Sequence, residues 1–104
     1  MSDTFVAVAK TTDIPVGQFK EVVVRGKPLL VCHTAAGFHA VDNTCTHDDG
    51  PLGDGWLDGC AIECPRHGAR FDVRTGEVLA LPAAVPIRSY PVRVDGPDIQ
   101  VNLG

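Results

Sequence analysis

Glycine and proline punctuate this sequence so often that no long helix fits into it. Eleven glycines and eight prolines are spread over 104 residues, and no stretch offers an uninterrupted helical period. Between the breaks lie short runs rich in β-branched and aromatic residues. They are Val22-Val23-Val24, Leu29-Leu30-Val31, Phe38-His39-Ala40-Val41, Ala61-Ile62-Glu63, Phe71-Asp72-Val73, Glu77-Val78-Leu79, Tyr90-Pro91-Val92-Arg93-Val94 and Ile99-Gln100-Val101. Arg25-Gly26-Lys27-Pro28, Ala35-Ala36-Gly37, Arg74-Thr75-Gly76 and Asp95-Gly96-Pro97-Asp98 separate neighbours as hairpin turns do. The pattern predicts an all-β sandwich or barrel, with any helix limited to a turn near Asp13. The length suits one domain over residues 1–104.

One stretch departs from this rhythm. Asp42 to Leu57 is rich in glycine and aspartate and reads as a long loop, a feature usually tied to function in a small domain. Within it stands Cys45-Thr46-His47, and sixteen residues later comes Cys64-Pro65-Arg66-His67. Each half pairs a soft thiolate with an imidazole on one tight loop. Thiolate and imidazole suit tetrahedral zinc, and they also suit an iron–sulfur cluster in which two histidines replace two cysteines on one iron. The donor set alone leaves both open. Trp56 lies between the two halves, as packing for the loop or as part of a docking face. His33, His39 and Asp42 match the composition of a two-histidine, one-carboxylate iron site, or lie on a hairpin surface. Cys32 and Cys60 have no paired motif and are expected as small buried apolar residues, not as a disulfide.

The segment from Cys45-Thr46-His47 through Cys64-Pro65-Arg66-His67-Gly68, with Phe71-Asp72 and Thr75-Gly76, resembles Rieske-type [2Fe–2S] ferredoxins. It is similar also to the Rieske domains of ring-hydroxylating oxygenases, and the resemblance covers nearly the whole chain. It implies the Rieske fold, three antiparallel sheets with the cluster-binding loops at one tip. It implies one [2Fe–2S] cluster, with Cys45 and Cys64 on the inner iron and His47 and His67 on the outer, solvent-facing iron. Pro82-Ala83-Ala84-Val85-Pro86 would correspond to the family's proline loop, shielding one side. The implied role is the ferredoxin of a dioxygenase system, which carries single electrons from a reductase to a terminal oxygenase by transient docking and is not itself an enzyme. A fixed Rieske subunit, such as the small subunit of nitrite reductase, is the alternative reading; a sensor or assembly-associated role is a third.

Two departures from the family bear on the potential. Rieske proteins of cytochrome bc complexes join the two loops by a disulfide, whereas Asp48-Asp49-Gly50 and Arg66 stand at those places here. They also set a serine and a tyrosine hydroxyl against the cluster sulfurs, where this chain has Ala69 and Phe71. Fewer donors stabilise the reduced state less, so a midpoint near the low end of the Rieske range, roughly −150 mV, is expected.

Charge narrows the partners. The net charge is −4, and residues 45–80 hold seven acids against three bases, while the remainder has six of each. An acidic site segment argues against nucleic acid, which needs a basic face; it suits docking on a basic patch of another protein, or is a solvated acidic face. Arg66 and Arg70 flank His67, either to meet an acid on a partner or as solvated charges. No apolar run approaches the roughly 20 residues of a membrane helix. Met1-Ser2-Asp3-Thr4-Phe5 lacks the features of a secretory signal, so a cytoplasmic monomer away from the membrane is expected.

Overall fold

The computed structural model describes residues 4–46, 49–66, 68–81 and 85–103. The expected ligands His47 and His67, and residues 82–84 of the expected proline loop, lie outside the described residues. Eleven strands follow in chain order: β1 Val6–Lys10, β2 Phe19–Val24, β3 Lys27–Thr34, β4 Gly37–Asp42, β5 Trp56–Asp58, β6 Ala61–Glu63, β7 Arg70–Asp72, β8 Val78–Ala80, β9 Ser89–Tyr90, β10 Val92–Asp95 and β11 Asp98–Val101. Two 3₁₀ turns, Thr11–Asp13 and Leu52–Asp54, are the helical elements among the described residues. None is long and apolar enough to cross a membrane.

The strands form three antiparallel sheets, ordered β1-β11-β10, β2-β3-β4-β9 and β5-β6-β7-β8. The turns explain the hairpins. Arg25 and Gly26 both take positive φ, 52° and 79°, as the tightest two-residue hairpin turn requires. That turn sets Val24 opposite Lys27 and fixes the β2–β3 register. At the next turn, Thr34 pairs with Gly37 and its hydroxyl accepts the Ala36 N–H at 3.1 Å.

The second sheet is the middle layer, which is why Leu29-Leu30-Val31-Cys32 is a continuous apolar run: all four residues are fully buried. Side chains alternate across a strand. Leu30 and Cys32, with Val41, face one core, which also holds Ile62, Phe71, Cys45 and Cys64. Leu29 and Val31, with Ala40, face a second core built with Ile99 and Val101 of the first sheet. The third sheet turns one apolar row across its four strands toward the first of these cores: Leu57, Ile62, Phe71 and Val78 lie opposite one another in turn.

Three expectations change. The Asp42–Leu57 stretch is not all loop, because Trp56–Asp58 forms β5 against β6. Trp56 keeps 48% of its surface exposed, so it does not pack the loop from within. The run Tyr90–Val94 is two strands in different sheets. Pro91 has no N–H for a ladder, and at that residue the chain leaves β4 for β11.

Candidate metal centre

The two cysteine loops share one backbone pattern. Cys45 N–H donates to the Gly50 carbonyl at 2.8 Å, and Asp49 N–H donates back to the Cys45 carbonyl at 2.7 Å. Cys64 N–H donates to the Ala69 carbonyl at 2.8 Å, and Gly68 N–H donates back to the Cys64 carbonyl at 3.1 Å. In each loop the fourth residue after the cysteine takes a positive φ, 62° at Asp49 and 78° at Gly68. Each cysteine therefore stands at the base of a six-residue loop that folds back on it. The first follows β4; the second joins β6 to β7, where Glu63 pairs with Arg70.

Both thiols are fully buried in one apolar cluster with Leu52, Ile62, Ala69 and Phe71. Ala69 and Phe71, at the two positions where a hydroxyl was expected to be missing, are fully buried there and offer none. His47 and His67 fall within the same two loops by sequence, two and three residues after their cysteines. Sulfur donors in a dry, matched pair of loops fit an iron–sulfur group whose remaining ligands are imidazoles.

Polar contacts set the first loop on the fold. Asn43, just after β4, donates from Nδ2 to Glu21 Oε1 at 2.8 Å, and its Oδ1 accepts the Gly53 N–H at 2.7 Å. The 3₁₀ turn is thereby fixed to β2. Thr46 donates its hydroxyl to the Val85 carbonyl, tying the first loop to the described part of the expected proline loop. Neither Asn43 nor Glu21 carried a signal in the sequence, because each acts through a partner ten or more residues away.

The arginines beside His67 are engaged within the protein. Arg70 bridges Glu63 at 2.8 Å and Asp58 at 3.1 Å across the outer face of the third sheet. These acids raise its pKa, with the Asp58 hydrogen bond the largest cause and burial opposing. Arg66 Nη1 stands 3.3 Å from Asp54.

His33, His39 and Asp42 do not converge. His33 pairs with Phe38 and His39 with Cys32, so the two imidazoles point to opposite faces of the sheet. His33 Nδ1 lies 2.7 Å from the Ile14 carbonyl, and Asp42 accepts the Tyr90 hydroxyl at 2.6 Å. Burial first, then that carboxylate, pushes the Tyr90 pKa up. Burial, helped by the Arg74 charge, lowers the His39 pKa. Cys32 is a buried free thiol whose pKa burial pushes up to about 12. Cys60, expected to be buried, is a half-buried free thiol.

The Rieske [2Fe–2S] domain family matches residues 4–91. The chain belongs to the Rieske family. It is 37% identical over 103 residues, 99% of both chains, to the ferredoxin component of the naphthalene 1,2-dioxygenase system of Pseudomonas aeruginosa. The solved ferredoxin of carbazole 1,9a-dioxygenase from Nocardioides aromaticivorans superposes with a TM-score of 0.90 at 38% identity, covering 95% of this chain and 97% of that one. A 35% identical chain in a complex of reduced oxygenase and oxidised ferredoxin of carbazole 1,9a-dioxygenase matches with a TM-score of 0.88 over 96% of this chain and 94% of its own. The Rieske cofactor is one [2Fe–2S] cluster, which replaces the zinc reading, and this Rieske protein transfers electrons rather than catalysing a reaction itself.

Proposed function

We propose that this Rieske protein, acting as one domain and a monomer, takes single electrons from a reductase and delivers them to a terminal oxygenase, with Cys45, His47, Cys64 and His67 as the cluster ligands. The observation that carries the ligand assignment is the pair of matched loops, each of which buries one thiol at its base in a shared apolar cluster. The relatives that support the partner reading are ferredoxin components, one of them matched within an oxygenase complex.

When bound, the cluster supplies a one-electron couple. The chain supplies the rest. The Cys45 and Cys64 thiolates would hold the group and offset ferric charge from the apolar cluster in which they are buried. Leu52, Ile62 and Phe71 keep water from the sulfurs, so the reduced state gains little solvation. The imidazoles of His47 and His67 would complete the ligand set, and a partner would dock beside them briefly and with a small interface.

Optical and EPR spectra of anaerobically purified protein, followed by a redox titration, test this reading. A Rieske spectrum with a midpoint of roughly −150 mV is expected. Cys45→Ser and Cys64→Ser should abolish it, and His47→Ala and His67→Ala should abolish or alter it. An unchanged chromophore in any of the four removes that residue from the ligand set.

A further inference from the structure

We propose that Arg66 clamps the two cysteine loops together and so controls how readily the site opens. The inference rests on the ligand assignment above. Arg66 belongs to the second loop, two residues after Cys64, yet its side chain reaches the first. Nη2 donates to the Pro51 carbonyl at 3.1 Å, and Nη1 to Asp54 Oδ2 at 3.3 Å. The guanidinium also lies against Gly50: a methyl there would stand 2.7 Å from its Cζ and Nη2 and 2.8 Å from Nε. Gly50 is the residue whose carbonyl closes the first loop onto Cys45. One side chain therefore touches the closing residue of the opposite loop, the residue after it and the 3₁₀ turn beyond.

The contacts differ in weight. Asp54 is 61% exposed, so its ion pair is screened and weak. The neutral acceptor at Pro51 and the packing on Gly50 carry more, and both depend on the planar fork of an arginine. A lysine has the charge without the fork. Proteins open locally at free energies well short of global unfolding, and release of iron would need the two ligand loops to part. Arg66 spans the gap that must widen, which makes it a positioning residue for the ligand loops.

The holoprotein at neutral pH is mixed with excess iron chelator, and loss of visible absorbance gives the rate. Arg66→Ala should lose iron about tenfold faster than wild type. Gly50 lies outside the left-handed region, so Gly50→Ala is tolerated by the backbone while its methyl displaces the guanidinium. It should accelerate loss similarly, and the double variant should be no faster than Arg66→Ala alone. Arg66→Lys separates charge from clamp. Its midpoint potential should match wild type, whereas that of Arg66→Ala falls, but its iron loss should stay fast. The EPR lines of both reduced variants should broaden as the loops sample more than one arrangement.

Wild-type iron loss in Arg66→Ala, multiplied effects in the double variant, or full restoration by lysine each overturns the clamp. If Arg66→Ala does not assemble, Gly50→Ala and Asp54→Asn decide, the latter expected to be about twofold faster; wild-type rates in both overturn it. A colourless Cys45→Ser protein beside wild-type iron loss in Arg66→Ala overturns the clamp alone. A wild-type chromophore in Cys45→Ser overturns the ligand assignment, and the clamp with it.

Discussion

Ala69 accepts the Cys64 amide through its carbonyl and is itself fully buried, so any group added to its side chain enters the apolar cluster to which the two thiols also belong. A hydroxyl there would be a donor to sulfur, favouring the more negative reduced state. One hydrogen bond that gains about 1.4 kcal/mol on reduction raises a one-electron midpoint by about 59 mV. Ala69→Ser should therefore shift the potential upward by roughly that amount, measured by dye-mediated titration. An unchanged or lower midpoint would show that the added hydroxyl does not donate to a sulfur. At this scale the two cysteines were legible from their spacing and chemistry. Arg66, Asn43 and Glu21 were not, because what they do depends on neighbours supplied by other segments. Arg66 meets Pro51 fifteen residues back, and Asn43 meets Glu21 twenty-two residues back.

Among the elements, the turn from β7 to β8 concentrates the constraints. Gly76 N–H donates to the Asp72 carbonyl at 2.7 Å, and its own carbonyl accepts the Ile87 N–H at 2.9 Å. Its φ is 85°, and a Cβ would overlap the Ile87 carbonyl oxygen. Strain and overlap act together, so Gly76→Ala should lower stability by about 2–4 kcal/mol in urea unfolding followed by far-ultraviolet circular dichroism. The same turn carries an acid-sensitive contact. Arg74 donates to both Asp72 oxygens, at 3.0 and 2.9 Å, and these hydrogen bonds are the largest cause holding the Asp72 carboxyl below its ordinary pKa. The unfolded chain then binds the proton more readily than the folded one. The contribution is complete above the ordinary carboxylate value and is lost as pH falls through the lowered folded value. Thermal midpoints between pH 6 and pH 3 should drop less steeply in Asp72→Asn than in wild type. Hairpins such as this one were legible, because their glycines answer a backbone need at a fixed place. β5 was not, being three residues inside a run of Gly and Asp. Nor does any local pattern tell that β9 and β10, separated by Pro91, join different sheets; only the layers built by the rest of the chain decide that.

Over the whole molecule, the acidic excess of the site segment is partly internal. Its three arginines pair with Asp54, with Asp58 and Glu63, and with Asp72. Asp49 and Glu77 have no ion-pair partner among the described residues, and Asp49 sits exposed on the first cysteine loop. Steering toward a basic partner therefore weighs on Asp49 more than the count of acids suggests. With the natural reductase and oxygenase, raising ionic strength from about 10 to 150 mM should slow electron delivery. Asp49→Asn should lower the low-salt rate roughly two- to threefold and flatten that dependence, seen in stopped-flow reduction. A rate indifferent to salt would assign recognition to shape and apolar contact instead.

The pairing of β1 with β11 reaches further than the stability of one sheet. Val6 lies opposite Val101, and their layer is divided from the thiol-bearing core by the middle sheet. The first and last strands thus run on neighbouring tracks, on the side of the middle sheet away from the two buried thiols. A tether joined to either track would hold the molecule on an electrode with that end outward. A short peptide bridging the two tracks would join strands that already lie side by side, so new ends could be opened at a hairpin turn without pulling the sheets apart.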